Sequence, residues 1–238
     1  MVRTSPYFDG RIAAELRLWE ALERGLLAPF QYFGVPDGTD LSHLTWRRGG
    51  YEQAELERLY TGNHARVGML VRAIEDVVAD PGRMRALAFC VSIAHARFMA
   101  EQLTARGIPA RAVTADTDWT DRRNALQALR ERHVNVLCTV DLFNEGIDLP
   151  EIDTVLLLRP TESATVFLQQ LGRGLRIADG KPCLTVLDMI GAQHRKFRFD
   201  LRFRALTGAS PRELERQIQE GFPRLPAGCH IHLEPVAR

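Results

Sequence analysis

Short apolar runs alternate with helix-forming segments along residues 86–188, and this alternation constrains the fold more than any other feature of the 238-residue chain. The predicted strands are the runs at 86–91, 110–114, 134–140, 153–158 and 183–188. The predicted helices between them span 93–106, 120–130 and 164–176. Strands that alternate with helices indicate an α/β fold, with a parallel sheet that is flanked by helices on both faces.

The ends of the predicted strands are where we first expect ligands. Open parallel sheets bind ligands in the crevice outside the carboxyl ends of their strands. In this sequence those ends are Ser92, 114–116, Asp141, 159–160 and Asp188. We therefore expect the chemistry of the chain at these positions.

The segment before the alternation, 1–82, is predicted to be mainly helical. Its predicted elements are a helix at 11–24, a short strand at 27–34, turn residues at 35–40, and helices at 51–63 and 64–80. The sequence thus predicts an α/β domain at 83–192, with helical N-terminal and C-terminal extensions at 1–82 and 193–238.

The C-terminal extension is rich in arginine. Residues 193–216 hold seven basic and three acidic side chains, and Phe197, Phe199 and Phe203 interleave with them. Arg198 and Arg202 could neutralise nucleic-acid phosphates while the phenylalanines offer stacking faces. The alternative is a helix that packs its phenylalanines on the core and leaves its arginines in solvent.

Composition and charge exclude several classes of protein. The chain has 31 basic and 30 acidic residues, so a nucleic-acid surface must be a local patch. The longest apolar run, 86–91, is far shorter than a membrane span, and the first residues have no signal-peptide core. These features predict a cytoplasmic protein that has no membrane partner.

Cysteine and lysine usage narrows the chemistry further. The four cysteines form no C-x-x-C pair, and the Cys-His-Ile-His run at 229–232 lacks a fourth ligand at a recognised spacing, so we predict no metal site. The chain has only two lysines, Lys181 and Lys196. Any lysine-dependent chemistry must therefore use one of these two.

The most informative motif is Q-x-x-G-R-x-x-R. Gln169, Gly172, Arg173 and Arg176 fall at i, i+3, i+4 and i+7, which is one stripe of a predicted helix. Guanidinium groups present rigid paired donors that suit phosphate oxygens. By spacing alone, phosphate binding and simple solvation of the arginines are equally plausible. A dinucleotide-binding G-x-G-x-x-G motif is excluded, because Ile177 holds its third glycine position.

Three stretches together resemble a known family. The motif at 169–176, the stretch at 140–150 and the run at 88–92 are similar to the sixth, fifth and fourth motifs of superfamily 2 helicases of the DEAD/DEAH type. Their order and spacing resemble the second RecA-like motor domain of that family, the helicase C-terminal domain. Residues 1–35 and 193–235 further resemble bacterial restriction-type helicases used in DNA repair or defence.

The resemblance implies a RecA-like sheet and roles in ATP hydrolysis. It implies that Arg173 and Arg176 reach the terminal phosphate of ATP bound mainly by the other motor domain, with Arg173 as the arginine finger and Gln169 orienting the motif. It places Gly146, Asp148 and Gly172 at the nucleotide cleft, with Asp148 near the ribose.

The resemblance also implies contacts with nucleic acid, for which DNA is the expected form. Ser92 and Thr139 would touch its phosphates. The family's usual threonine position is held here by Val140, and Thr139 lies one residue earlier.

The parts that bind and activate ATP are absent from the sequence. Lys181 follows Gly180, but Pro182 comes next and position 175 is leucine, so there is no P-loop. No Asp-Glu dipeptide occurs, which excludes a DExH box. ATP and its Mg²⁺ would therefore be held through a first motor domain, in cis or in trans, and residues 1–10 resemble the linker that follows such a domain.

Two other functions stay open. The chain could be a stand-alone nucleic-acid-binding or interaction module without catalytic activity. It could also be a small enzyme that binds magnesium at the strand ends through Asp116, Asp141 and Asp188.

Overall fold

The structure is a computed structural model that describes residues 18–47, 49–140, 149–223 and 225–233. Within these ranges the strands are β1 (Phe30–Asp40), β2 (Trp46–Arg47), β3 (Gly50–Tyr51), β4 (Ala86–Phe89), β5 (Ala110–Ala112), β6 (Val136–Thr139), β7 (Thr154–Leu157), β8 (Leu184–Ala192) and β9 (His230–Leu233). The helices are α1 (Leu18–Glu23), α2 (Gln53–Tyr60), α3 (His64–Val77), α4 (Ile93–Ala105), α5 (Trp119–Arg130), α6 (Ala164–Gly172), α7 (Asp200–Thr207) and α8 (Pro211–Glu220).

Seven strands form one sheet in the order β5-β6-β4-β7-β8-β1-β9, and all of its pairings are parallel. The RecA-like parallel sheet and the five strands predicted between residues 86 and 188 are confirmed. Strands β4, β6 and β7 are buried along their whole length, which explains why they read as continuous apolar runs.

The strand order reverses at the centre of the sheet. From β4 the chain moves outward to β5, returns to β6, and then crosses to β7 on the other side of β4. The crevice outside the carboxyl ends of β4 and β7 is therefore a topological switch point, where open α/β sheets bind ligands.

Apolar side chains cover both faces of the sheet. Leu87 and Phe89 of β4 join a core with Phe167 of α6 and Phe203 of α7. Ala86 and Ala88 point to the opposite face, where the core includes side chains of α3 and α4. Because successive side chains of a strand point to opposite faces, β4 contributes residues to both cores.

Both predicted extensions contribute strands to the sheet as well as helices. β1 pairs with β8 from Phe30↔Leu184 to Pro36↔Ile190, and β9 pairs with β1. The strand predicted at 27–34 is confirmed, and β9 was not predicted. The sheet crosses both predicted boundaries, so a division of the chain at 83 and 193 stays a prediction.

The prediction of a turn at 35–40 is wrong, because β1 continues to Asp40. Beyond Gly34, which pairs with the last residue of β9, the strand pairs only with β8 within the described ranges and forms an edge there. Proline is tolerated at such an edge. The register with β8 shifts between Pro36 and Asp40, and Gly38 has a positive φ of 68° there. The residues that predicted a turn therefore lie in an irregular, bulged part of β1.

The helices of the described chain are short. None of those in the described ranges combines the length and the apolar character that crossing a bilayer requires. Helix α1 lies within the predicted helix at 11–24, whose earlier part falls outside the described residues.

Candidate functional site

Helix α6 carries the first half of the arginine motif. Ser163 caps its start, because its hydroxyl accepts a hydrogen bond from the amide of Val166 at 3.3 Å. The helix ends at Gly172, four residues earlier than predicted, and Arg173 is its C-cap. The prediction that all four motif residues share one helical stripe is therefore wrong for Arg176.

Tertiary contacts end the helix at this point. A Cβ atom on Gly174 would lie 2.3 Å from Leu184 Cδ1, so only glycine allows the loop to approach β8 this closely. The carbonyl of Leu175 accepts a hydrogen bond from the amide of Ala28 at 2.8 Å. These contacts hold the loop against the sheet, and a further helical turn would break them.

The arginine motif lies at the amino ends of the strands. Leu184 is the first residue of β8, and Ala28 lies just before β1. Helix α6 begins after the carboxyl end of β7 and runs back along the sheet, which brings its C-terminus to the opposite edge. Arg173 and Arg176 therefore lie at the edge of the sheet opposite to the carboxyl ends, where ligands were expected from the strand pattern.

The residues of the arginine motif differ in how deeply they are buried. Arg173 is half-buried, and within the described ranges its side chain has no hydrogen bond or ion pair. Gln169, Gly172 and Arg176 are exposed. A Cβ atom on Gly172 would meet nothing within 4 Å among the described residues, in contrast to Gly174.

Lys181 fixes the loop that follows α6. Its ammonium donates to the carbonyl of Arg176 at 2.6 Å and to the carbonyl of Pro150 at 3.0 Å. Partial burial lowers the pKa of Lys181 to about 8. Gly146 and Asp148, predicted at the nucleotide cleft, lie outside the described residues, as does Asp141. Pro150 closely follows that segment, so Lys181 links its end to the arginine loop.

Ser92 and Thr139 lie at the carboxyl ends of β4 and β6. The Ser92 hydroxyl accepts a hydrogen bond from the amide of His95 at 3.1 Å and caps α4. Thr139 is fully buried, and its hydroxyl has no hydrogen-bond partner in the described part of the chain. For both residues, contact with a nucleic-acid phosphate stays a prediction.

Arg202 is part of a buried polar cluster, so its predicted phosphate contact is wrong. Its guanidinium forms an ion pair with Asp188 and donates to the hydroxyl of Tyr32 at 2.8 Å. The Tyr32 hydroxyl in turn donates to Asp188. The rings of Phe167 and Phe199 lie 4.6 and 4.7 Å from the guanidinium carbon. The arginine is buried because a carboxylate and two aromatic faces satisfy it there.

The same cluster excludes the predicted magnesium ligand at Asp188. This carboxylate is 1% exposed and is engaged by both Arg202 and Tyr32. Burial raises the pKa of Tyr32 to about 12, which keeps the hydroxyl protonated as a donor. Asp116 is elsewhere, in an ion pair with Arg97 at 3.2 Å, and the described residues contain no cluster of metal-ligating side chains.

The rest of the basic stretch divides between core and surface. Phe203 is fully buried, as the packing alternative for this segment predicted. Arg198 is exposed and forms two hydrogen bonds with Asp200, each 2.8 Å long. Its amide donates to Glu162 at 3.0 Å, which places it near the carboxyl end of β7.

An aromatic cavity that the sequence reasoning missed lies at the switch point. Its volume is about 310 Å³, and its lining includes Val91, Arg159 and Pro160 at the ends of β4 and β7. Trp46 and Tyr51, from the β2–β3 hairpin, form one part of the wall. The only signal in the sequence is a pair of aromatic residues that flank a Gly-Gly turn.

Comparison with known proteins identifies one domain of the chain. The sequence pattern of the family described as "Helicase conserved C-terminal domain" matches residues 69–178, from α3 to the loop that holds Arg173 and Arg176. The chain contains a superfamily 2 helicase C-terminal domain. The recognition from three motifs is therefore confirmed, and the arginine motif belongs to this domain.

Relatives and solved structures agree with this assignment. The chain is similar to IRC3 of Saccharomyces cerevisiae, named as an ATP-dependent helicase, with 38% identity over 106 residues, which is 44% of this chain and 15% of that protein. The fold is similar to a fragment named as an HsdR subunit of a type I restriction enzyme from Vibrio vulnificus, with a TM-score of 0.58, 20% identity, and coverage of 77% of this chain and 36% of that one.

A second structure matches nearly the whole chain. The restriction-modification enzyme LlaBIII, bound to DNA, has a TM-score of 0.56 and 15% identity, and the match covers 92% of this chain and 16% of that one. The chain spans between 15% and 34% of the length of the first three curated relatives. The matched region is thus only a part of each of those proteins.

Proposed function

We propose that this chain supplies the second motor domain of a DNA helicase or translocase. It would complete an ATPase site whose P-loop and DExH box lie on another RecA-like domain, in cis or in trans. ATP and its Mg²⁺ would be held mainly by that other domain. A cytoplasmic location is part of the proposal.

The observation that carries the proposal is that Arg173 has no acidic partner in the described chain. This side chain is half-buried at the end of α6, and no carboxylate in the described chain neutralises it. The two buried arginines of the described ranges differ, because Arg66 is paired with Asp37 at 2.6 Å and Arg202 with Asp188. Arg173 therefore keeps its charge available for an anion from outside the domain.

A guanidinium in this position has a clear chemical use. Charge spreads over the equatorial oxygens of a phosphoryl group as it is transferred, and an arginine that reaches them raises the rate by about 10³ to 10⁵. The carbonyls at the C-terminus of α6 favour a cation there. Gly174 and Lys181 fix the adjoining backbone, so that Arg173 and Arg176 are held on a rigid support.

Nucleic acid would bind at the opposite edge of the sheet. Ser92 and Thr139 lie there, and the exposed side chain of Arg198, which is paired with Asp200, is close to the end of β7. The similarity to an enzyme that was solved bound to DNA supports DNA as the polymer. The two functional edges would then be separated by the length of the strands.

Reconstitution of the ATPase tests the proposal. The full chain is fused through a Gly/Ser linker to a RecA-like domain that carries a P-loop and a DExH box, and hydrolysis is measured with and without DNA. We expect DNA-stimulated hydrolysis in the fusion and none in either part alone. Arg173→Ala should lower the rate by about 10³-fold or more.

A matched control separates the finger from a general loss of charge. Arg195→Ala removes an exposed arginine beyond the other edge of the sheet and should leave hydrolysis without DNA unchanged. The proposal is wrong if the folded fusion does not hydrolyse ATP, or if Arg173→Ala and Arg195→Ala have equal effects.

The second candidate is a stand-alone nucleic-acid-binding module. It is favoured by the exposed basic side chains of Arg195, Lys196 and Arg198 in the C-terminal stretch. In that case DNA binding would be salt-dependent, would survive Arg173→Ala, and would weaken with Arg198→Ala, while the fusion would remain inactive.

A further inference from the structure

The aromatic cavity lies where this sheet is built to hold a ligand. It is formed outside the carboxyl ends of β4 and β7, between Val91 and Pro160. The chain changes direction across the sheet at these two strands, and such switch points are the usual ligand sites of open α/β sheets. Its volume, about 310 Å³, is at the lower end of the range of small-ligand sites. One nucleoside would fit, and a duplex would not.

The walls of the cavity suit a flat aromatic ligand. Trp46, Tyr51 and Phe197 are half-buried and contribute to its lining. The ring of His194 stacks on one side of Trp46, at an interplanar angle of 9° and a centroid distance of 5.3 Å. Nucleic-acid bases stack on such rings with little regard to sequence.

Polar groups in the cavity match the edge of a base. Glu162 and Gln53 belong to the lining, together with Arg159. A carboxylate accepts hydrogen bonds from the amino groups of bases and repels phosphates. The cavity would therefore take a base inward and leave its phosphates outside.

The surrounding surface supplies cations for those phosphates. Arg47 follows Trp46, and Arg195 and Lys196 follow His194; all three are exposed. Such a basic rim around aromatic rings is typical of proteins that bind single strands.

The walls are fixed in place before any ligand arrives. The Tyr51 hydroxyl donates to Gln193 at 2.9 Å and accepts from the amide of His194 at 2.6 Å. Gln53 donates to the carbonyl of Val91 at 3.1 Å. These bonds join the hairpin to the end of β8 and the start of α2 to the end of β4, which lowers the entropic cost of binding.

We infer that this cavity binds one unpaired base of single-stranded DNA by stacking it against Trp46. The inference rests on the proposed function, because it needs a DNA strand at the carboxyl edge of the sheet. The aromatic walls at 46–51 and 193–197 lie outside residues 69–178, so the site is an addition to the motifs that the family shares.

Fluorescence of Trp46 tests the inference in the full chain. The chain has three tryptophans, and the double variant Trp19→Phe/Trp119→Phe leaves Trp46 as the only one. Two probes of equal length are titrated, an oligothymidylate strand and an abasic strand that keeps the phosphates and lacks the bases. We expect the oligothymidylate to quench Trp46 and the abasic strand to bind without quenching.

Substitution of Trp46 provides a second measurement. Trp46→Leu should weaken binding of oligothymidylate about fivefold or more and leave binding of the abasic strand unchanged, and Trp46→Phe should retain most of the affinity. If Trp46→Leu does not fold, as judged by circular dichroism, the quenching result alone decides. Equal binding of both strands without quenching would overturn the stacking site and leave the proposed function intact. Failure of both strands to bind would overturn both.

Discussion

The ammonium of Lys181 donates to the carbonyl of Arg176 at 2.6 Å, and this bond fixes the backbone of the loop that follows Arg173. The same ammonium donates to Pro150 at 3.0 Å. One of the two lysines of the chain therefore joins the ends of two segments that the resemblance assigns to the nucleotide cleft. A P-loop lysine contacts phosphate directly, whereas this one acts through the backbone.

Removal of this lysine should loosen the arginine loop. Lys181→Met removes one exposed and one partly buried hydrogen bond, which should lower the free energy of unfolding by about 1 kcal/mol. It should also lower ATP hydrolysis by the fusion protein. Lys196→Met removes the other lysine, which is exposed, and serves as the control for unfolding and for ATP hydrolysis measured without DNA, because Lys196 belongs to the proposed DNA-binding rim. Equal urea-denaturation curves and equal ATPase rates for the two variants would contradict this role.

The pH dependence of stability should report the same lysine. Burial lowers the pKa of Lys181 from 10.5 to about 8 in the folded chain. Between these two pH values the unfolded chain binds more protons, so the free energy of unfolding should rise with pH through this window. The measurement compares urea denaturation of the wild-type chain and Lys181→Met from pH 7.5 to 10.5. The free energy of unfolding should rise more steeply with pH in the wild-type chain than in Lys181→Met. Equal slopes for the two proteins would show that Lys181 does not titrate in this range.

The two arginines predicted to bind DNA should have opposite phenotypes. Arg202→Met leaves Asp188 buried without its cation and should destabilise the chain by about 3 to 5 kcal/mol. Arg198→Ala changes an exposed side chain and should leave the melting temperature unchanged. It should lower the slope of log affinity for DNA against log salt concentration by about one. A stable Arg202→Met variant with weakened DNA binding would contradict the structure.

The two glycines of the arginine motif should also differ. Gly174→Ala would place a methyl group 2.3 Å from Leu184 Cδ1, and Leu184 is fully buried, so the loop or the core must shift. We expect a loss of about 1 to 3 kcal/mol in the free energy of unfolding, together with a fall in ATPase activity of the fusion. Gly172→Ala meets open space in the described chain and should not be destabilising. Thermal unfolding of the two variants side by side makes the comparison.

The central strands could be predicted because a strand that is buried on both faces is a continuous run of apolar residues in the sequence. β4 and β6 are continuous apolar runs, and both faces of each are covered. The end of α6 could not be predicted in this way. Its pattern continues to Arg176, and it is the approach of Gly174 to Leu184, a contact between different elements, that stops the helix.

The burial of Arg202 depends on still more distant residues. Tyr32 lies 170 positions earlier in the chain, and Phe167 comes from a different helix. From the neighbouring residues alone, an arginine in a basic segment is predicted to be in solvent. Its neutralising carboxylate, Asp188, belongs to a different element. The aromatic cavity was missed for the same reason, since its walls come from both sides of the domain that the motifs define.

The position of β8, β1 and β9 determines how the protein can be cut. The conserved helicase segment at 69–178 ends before β8, and a fragment with those limits would leave the main-chain groups of β7 without a partner along one side. Such an exposed strand promotes aggregation. Because β9 at His230–Leu233 pairs with β1, the seven-stranded sheet is complete only when these two distant segments of the chain are paired. Shortened versions made for crystallisation or assembly should therefore retain every residue from Phe30 to Leu233.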